Sequence, residues 1–157
     1  LPCKGEVSKV NSYAHDYAGF TTEDPDMVMA QVHKRLRKAE LLLETVDKPG
    51  AVFLGGMQDA KTALIAWGSP RGACCEVARE LDLRVVSPVV ISPFPAGEFR
   101  KARNGVSKVI MVEDSSTGQM SQILAKEGYT TDIQILRYDG RPFAVEELLE
   151  RVRRCIS

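Results

Sequence analysis

An α/β fold with a mostly parallel sheet of about five strands is predicted by two features of this 157-residue chain. Short apolar runs alternate with amphipathic stretches from about Ala51 to the last residues, and Gly, Pro and Ser separate them. The run Lys108–Val112 is almost continuously apolar, the pattern of a strand covered on both faces. The preceding residues follow a different plan, an extended segment leading into a long helix.

The helix begins at Asp24-Pro25, where the carboxylate can accept from free amides and proline is pre-set for the first helical position. Val28, Val32, Leu36 and Leu43 recur at helical spacing and give one apolar face. Lys34, Arg35, Arg37 and Lys38 mostly occupy the remainder. Lys48-Pro49-Gly50 ends the element. Ala51–Leu54 reads as a first strand stopped by Gly55-Gly56, its different rhythm suiting an antiparallel edge. Thr62–Trp67 is a stronger strand, closed by Gly68–Gly72, and a helix covers about Ala73–Leu81. Arg84–Ile91 is β-rich, Pro93-Phe94-Pro95 turns the chain, and a short helix lies near Glu98–Arg103. After the strand at Lys108–Val112 come the polar loop Glu113–Gln119 and a helix carrying Met120, Ile123 and Leu124. Ile133–Leu136 is the last strand. Tyr138–Pro142 breaks it, and Phe143–Ile156 is an amphipathic closing helix. Residues 1–48 thus read as a connector with a basic amphipathic helix, and 49–157 as the α/β domain.

Composition narrows the function. Lys+Arg and Asp+Glu number 21 each, so no global field recruits nucleic acid or an anionic membrane. No apolar run approaches a membrane span and no signal peptide opens the chain. Cys3, Cys74, Cys75 and Cys155 form no CxxC pair, which fits a reduced, cytoplasmic protein. Cys74 and Cys75 read as small thiols packed within a helix. A start at Leu1 rather than Met fits a fragment or a processed product, and Asn11–Lys38 reads as a joint to something larger.

In open α/β sheets, ligands sit outside the carboxyl ends of strands, near helix N-termini. Two loops take that position. Gly68, Ser69, Arg71 and Gly72 combine small residues, a hydroxyl and a guanidinium, a set able to cradle an anion. The plainer reading is a tight strand-to-helix turn with Ser69 as cap. In the second loop, Glu113, Ser116, Thr117, Gly118 and Gln119 suit helix capping or contact with a neighbouring polypeptide. His15-Asp16 pairs an imidazole with an acid, more ordinary as a loop's hydrogen-bond anchor than as catalytic machinery. Dinucleotide and phosphate-loop signatures are absent, as is a GxSxG elbow. Two histidines are too sparse for a metal cluster.

Five motifs, in order, resemble the C-terminal half of the alpha subunit of 2-oxoacid:ferredoxin oxidoreductases. They are VNSYAHDYAGFTTEDPD with the basic KRLRK behind it, AWGSPRGACCEVA, VVSPVVISPFP, VEDSSTGQMSQIL and LRYDGRPFAVEEL. The resemblance runs from about Val7 to the end, and its NSYAHD opening is closest to the 2-oxoglutarate branch. It implies a transketolase C-terminal-like domain, a three-layer α/β/α sandwich. It further implies a complex that uses thiamine diphosphate, magnesium and iron–sulfur clusters, with beta and other subunits, ferredoxin and coenzyme A as partners. In that family this region does no chemistry, so the resemblance assigns no catalytic, cofactor or metal residue here. The chain is expected to serve assembly and positioning, against the alternative of an independent anion- or metabolite-binding domain.

Overall fold

A computed structural model describes residues Ser12–Ser157; Cys3, Val7 and Asn11 lie outside them. Contacts divide the chain into two compact units, one ending at Leu42 and the other spanning Leu43–Ser157.

In the first unit, His15 and Thr21 form an isolated antiparallel bridge. The Asp16 carboxylate closes the turn between them by accepting from the amides of Ala18 and Phe20, both at 2.9 Å. Helix α1 (Pro25–Val46) then begins as the sequence predicts. Asp24 Oδ1 accepts from the Met27 amide at 2.8 Å, an N-cap bond. The apolar face is the departure. Gln31 is the one buried residue of the helix, its side-chain amide donating to the His15 carbonyl. Val32, Leu36 and Leu43 are exposed, Leu36 by 60%. Helical spacing shows that a face is apolar; it does not say what covers it.

The second unit holds β1 (Val52–Gly56), β2 (Thr62–Ala66), α2 (Arg71–Glu80), β3 (Arg84–Pro88), α3 (Ala96–Ala102), β4 (Lys108–Glu113), α4 (Gln119–Lys126), β5 (Ile133–Leu136) and α5 (Val145–Ile156). Its five strands lie in the order β1-β3-β2-β4-β5. Strands β2, β3, β4 and β5 are parallel, while β1 runs antiparallel to β3 at one edge, Val52 facing Pro88 and Gly56 facing Arg84. The β-rich run ends sooner than its composition suggests: β3 closes at Pro88, which still pairs with Val52, and one further bond, from the Val89 amide to the Ala51 carbonyl at 2.9 Å, follows it.

Two apolar layers sandwich this sheet. On one face Leu64, Ala66, Val85, Ile110 and Val112 pack with Cys74, Val77 and Ala78 of α2 and Leu148 and Val152 of α5. On the other, Ala63, Ile65, Val86, Val109 and Met111 pack with Phe99 and Ala102 of α3 and Met120 and Leu124 of α4. The result is the three-layer α/β/α sandwich. Alternate residues of β2 and β4 feed opposite layers, so both strands must be apolar throughout.

Two long-range contacts fix the second unit's start. Asp47 accepts from the amides of Gly97 and Glu98, both at 2.8 Å, and so caps α3 from fifty residues away. Gly56 closes β1 at φ +66°, and a Cβ there would stand 2.1 Å from the Leu83 carbonyl oxygen. Left-handed backbone and a backbone clash act together. Gly56→Ala is expected to destabilise the domain by about 2–4 kcal/mol, read as a lowered urea midpoint. An unchanged midpoint would show that β1 closes in another conformation.

Candidate functional site

The strand order places a topological switch between β2 and β4. From β2 the chain crosses to β3 on one side, then returns past β2 to β4 on the other. The loops after β2 and β4 therefore part in opposite directions and leave a crevice at the strands' carboxyl ends. Trp67, Gly68 and Ser69 line it from β2, Glu113, Asp114 and Ser115 from β4, and Ile91, Gln119, Met120 and Ile123 complete a volume of about 330 Å³. Ser69 and Asp114 also border a second hollow of about 410 Å³ that reaches Arg137, Tyr138 and Arg141 after β5.

Glu113 and Asp114 are adjacent, yet their surroundings give them opposite roles. Glu113 ends β4 and turns under α4, buried. Its Oε2 accepts from the Met120 amide at 2.8 Å, and its Oε1 from the amide and hydroxyl of Ser121, both at 3.0 Å. A carboxylate facing a helix N-terminus also meets the favourable end of the backbone dipole. Ser115 Oγ accepts from the amides of Thr117 and Gln119 at 3.2 and 3.4 Å. The N-terminus of α4 is thus saturated by the chain's own oxygens. Asp114 is exposed and accepts from Ser69 Oγ at 2.5 Å, tying the two loops together.

The sequence-predicted site residues distribute as follows. Gly68, Ser69, Glu113 and Gln119 line the crevice. Ser69 does not cap α2: its hydroxyl is given to Asp114, and Pro70 occupies the cap position without a side-chain bond. Arg71 stacks on the Phe53 ring, 5.1 Å from its centroid, and is not among the crevice residues. Gly72 lies in the first turn of α2, where an added Cβ would meet open space. Ser116 and Thr117 are exposed. Gly118, at φ +64°, makes the turn into α4, and a Cβ there would meet Gln134 Oε1 at 2.4 Å. His15 and Asp16 belong to the turn of the first unit, where the His15 Nδ1 lies 3.0 Å from the Asp16 carbonyl.

Among the site residues that sequence reasoning did not single out are Trp67, Asp114, Ile91 and Arg137. The signal existed only for the first two, which directly follow the apolar cores of β2 and β4.

Around the second hollow, Arg137 bonds Asp139 at 2.9 Å and Glu147 at 2.5 Å, and its guanidinium lies over Phe143. The Arg137 hydrogen bond, then those from the Arg141 amide and side chain, hold the Asp139 carboxyl well below the usual carboxylate range. A depressed folded-state pKa stabilises above the unfolded value and is lost as pH falls through the folded one. The loop Tyr138–Pro142 is therefore expected to stay ordered at pH 4 and loosen only in stronger acid. NMR shifts of the Gly140 amide would follow this; loosening already near pH 5 would break the account.

Burial pushes the Cys74 thiol up to about 12, with the neighbouring Cys75 and Asp114 adding to the effect. Beside the crevice, Cys74 is thus a packing residue rather than a nucleophile. Among the described residues, no group of three or more His, Cys, Asp or Glu side chains is placed to hold a metal ion. No helix among them is long and apolar enough to cross a membrane.

These features define a class, a doubly wound three-layer α/β domain with a carboxylate-bearing crevice at its switch point. No family model matches the chain. It is 31% identical over 149 residues to the 2-oxoacid:ferredoxin oxidoreductase subunit alpha of Saccharolobus solfataricus, across 91% of this chain and 24% of that protein. It is 30% identical over 154 residues to subunit alpha of 2-oxoacid:ferredoxin oxidoreductase 2 of Aeropyrum pernix, across 94% of this chain and again 24% of the relative. The chain therefore spans about a quarter of the length of the curated relatives it matches. Its fold is shared with the 2-oxoglutarate:ferredoxin oxidoreductase of Magnetococcus marinus, solved with 2-oxoglutarate, coenzyme A and succinyl-CoA bound. That likeness has a TM-score of 0.70 at 24% identity and covers 92% of this chain and 26% of the other.

Proposed function

We propose that this chain is the C-terminal part of the alpha subunit of a 2-oxoacid:ferredoxin oxidoreductase, acting in assembly and positioning rather than in chemistry. The observation that carries the reading is the 31% identity to such a subunit over 91% of the chain. Residues 1–48 are read as the connector to the remainder of the subunit, and 49–157 as a transketolase C-terminal-like domain. The NSYAHD opening favours 2-oxoglutarate as the 2-oxoacid, decarboxylated oxidatively to an acyl-coenzyme A in the cytoplasm. Thiamine diphosphate, magnesium and the iron–sulfur clusters are assigned to other parts of the complex. Among the described residues, no group of three or more His, Cys, Asp or Glu side chains is placed to hold such a metal.

The independent anion-binding alternative gains nothing from the geometry. Glu113 and Ser115 take the α4 amides, and Arg71 lies over Phe53, outside the residues that line the crevice. The test is reconstitution. Alone, the chain is expected to show no 2-oxoacid-dependent reduction of ferredoxin. Mixed with the rest of the alpha subunit and the beta subunit, it should co-purify and restore coenzyme A-dependent turnover, fastest with 2-oxoglutarate. Failure to associate with either would overturn the assembly role. Fastest turnover with pyruvate would overturn only the choice of substrate.

A further inference from the structure

We infer that the switch-point crevice receives the guanidinium of an arginine presented by a partner polypeptide. This deepens the assembly reading and rests on it for the source of the arginine alone. The crevice combines three elements that a guanidinium needs together. Asp114 supplies the charge: Ser69 engages its Oδ2, which leaves Oδ1 as an acceptor. Trp67, 47% exposed, lines the same crevice and is the aromatic ring on which a cation can rest. Ile91 and Ile123, both half-buried, supply apolar wall for the methylene stem.

A planar cation on an indole face, hydrogen-bonded at its edge to a carboxylate, uses two attractions that do not compete for the same atoms. A compact ammonium makes poorer use of both, because it is more strongly hydrated and cannot stack. An anion is disfavoured by Asp114 and finds the α4 amides occupied. The volume of about 330 Å³ lies at the small end of ligand clefts, which run from about 300 to 1,000 Å³. It suits one long side chain rather than a nucleotide.

Trp67 is the chain's single tryptophan, so its fluorescence reports on this crevice alone. Titration with N-acetyl-arginine methylamide is expected to give a saturable change. The neutral, nearly isosteric citrulline analogue should bind at least about tenfold more weakly, and Asp114→Asn should lower affinity by about tenfold. Asp114 is exposed and has one side-chain partner, so this variant should keep the wild-type circular dichroism spectrum and melting temperature. Calorimetry on the same variant gives a second readout. Equal binding of the citrulline analogue, an unaffected Asp114→Asn, or no saturable response would each overturn the proposal. Tighter binding of the blocked than of free arginine supports a polypeptide source, and the reverse order overturns that source. None of these outcomes bears on whether the chain assembles with the oxidoreductase subunits, which reconstitution decides separately.

Discussion

Glu113→Ala is expected to lower the stability of the domain by about 2–4 kcal/mol, measured as a fall in the urea midpoint with little change in slope. The truncation strands three buried donors at once, the amides of Met120 and Ser121 and the Ser121 hydroxyl. Water cannot readily replace the carboxylate, because Glu113, Met120 and Ser121 are each at most 7% exposed. The local signature should be faster hydrogen exchange at Met120 and Ser121 than at the amides of β4. Glu113→Gln keeps one carbonyl acceptor and should cost less. A Glu113→Ala protein as stable as the parent would mean that α4 finds another cap. The contrast with Asp114 is instructive: the neighbouring carboxylate, exposed with one partner, should be nearly neutral to stability when changed to Asn.

The α/β plan was legible because periodicity is a local property. The apolar runs of β2 and β4, the edge rhythm of β1 and the start of α1 at Asp24-Pro25 all correspond to elements of the structure. What stayed hidden depends on residues brought together across the chain. Ser69 meets Asp114 from 45 residues away, and Asp47 caps α3 across 50. Reading Ser69 as a cap failed for this reason: a hydroxyl before a helix can be claimed by a stronger acceptor from another strand. Arg71 shows the same effect, its guanidinium drawn onto Phe53 of the edge strand. For Glu113 the polar loop suggested capping by its hydroxyls, whereas the strongest acceptor is the strand's own last side chain.

Phe99→Ala is the second large effect, expected at about 3–5 kcal/mol. Phe99 is fully buried on the α3–α4 face. It meets Phe94 edge-on with ring centroids 5.1 Å apart and Tyr129 edge-on at 4.8 Å. Removing the ring loses its burial and both aromatic contacts, and leaves a void between rigid neighbours that cannot close on it. Thermal unfolding should show the loss clearly. Phe99→Leu, which refills part of the volume, should recover about half. Equal effects of the two substitutions would mean that the site relaxes around any smaller side chain.

The strand order has a consequence for how the protein is made. β2 is synthesised early yet sits at the centre of the sheet, between β3 and β4. A ribosome emits β3 soon afterwards, so one side of β2 pairs promptly. The other side waits for Lys108–Glu113, more than forty residues later. During that interval the nascent chain carries an unpaired edge along one of its most apolar segments, the geometry that invites strand-to-strand aggregation. Slow translation between Pro88 and Lys108 would lengthen the exposure, and recovery of the domain from cells should fall as that stretch is slowed.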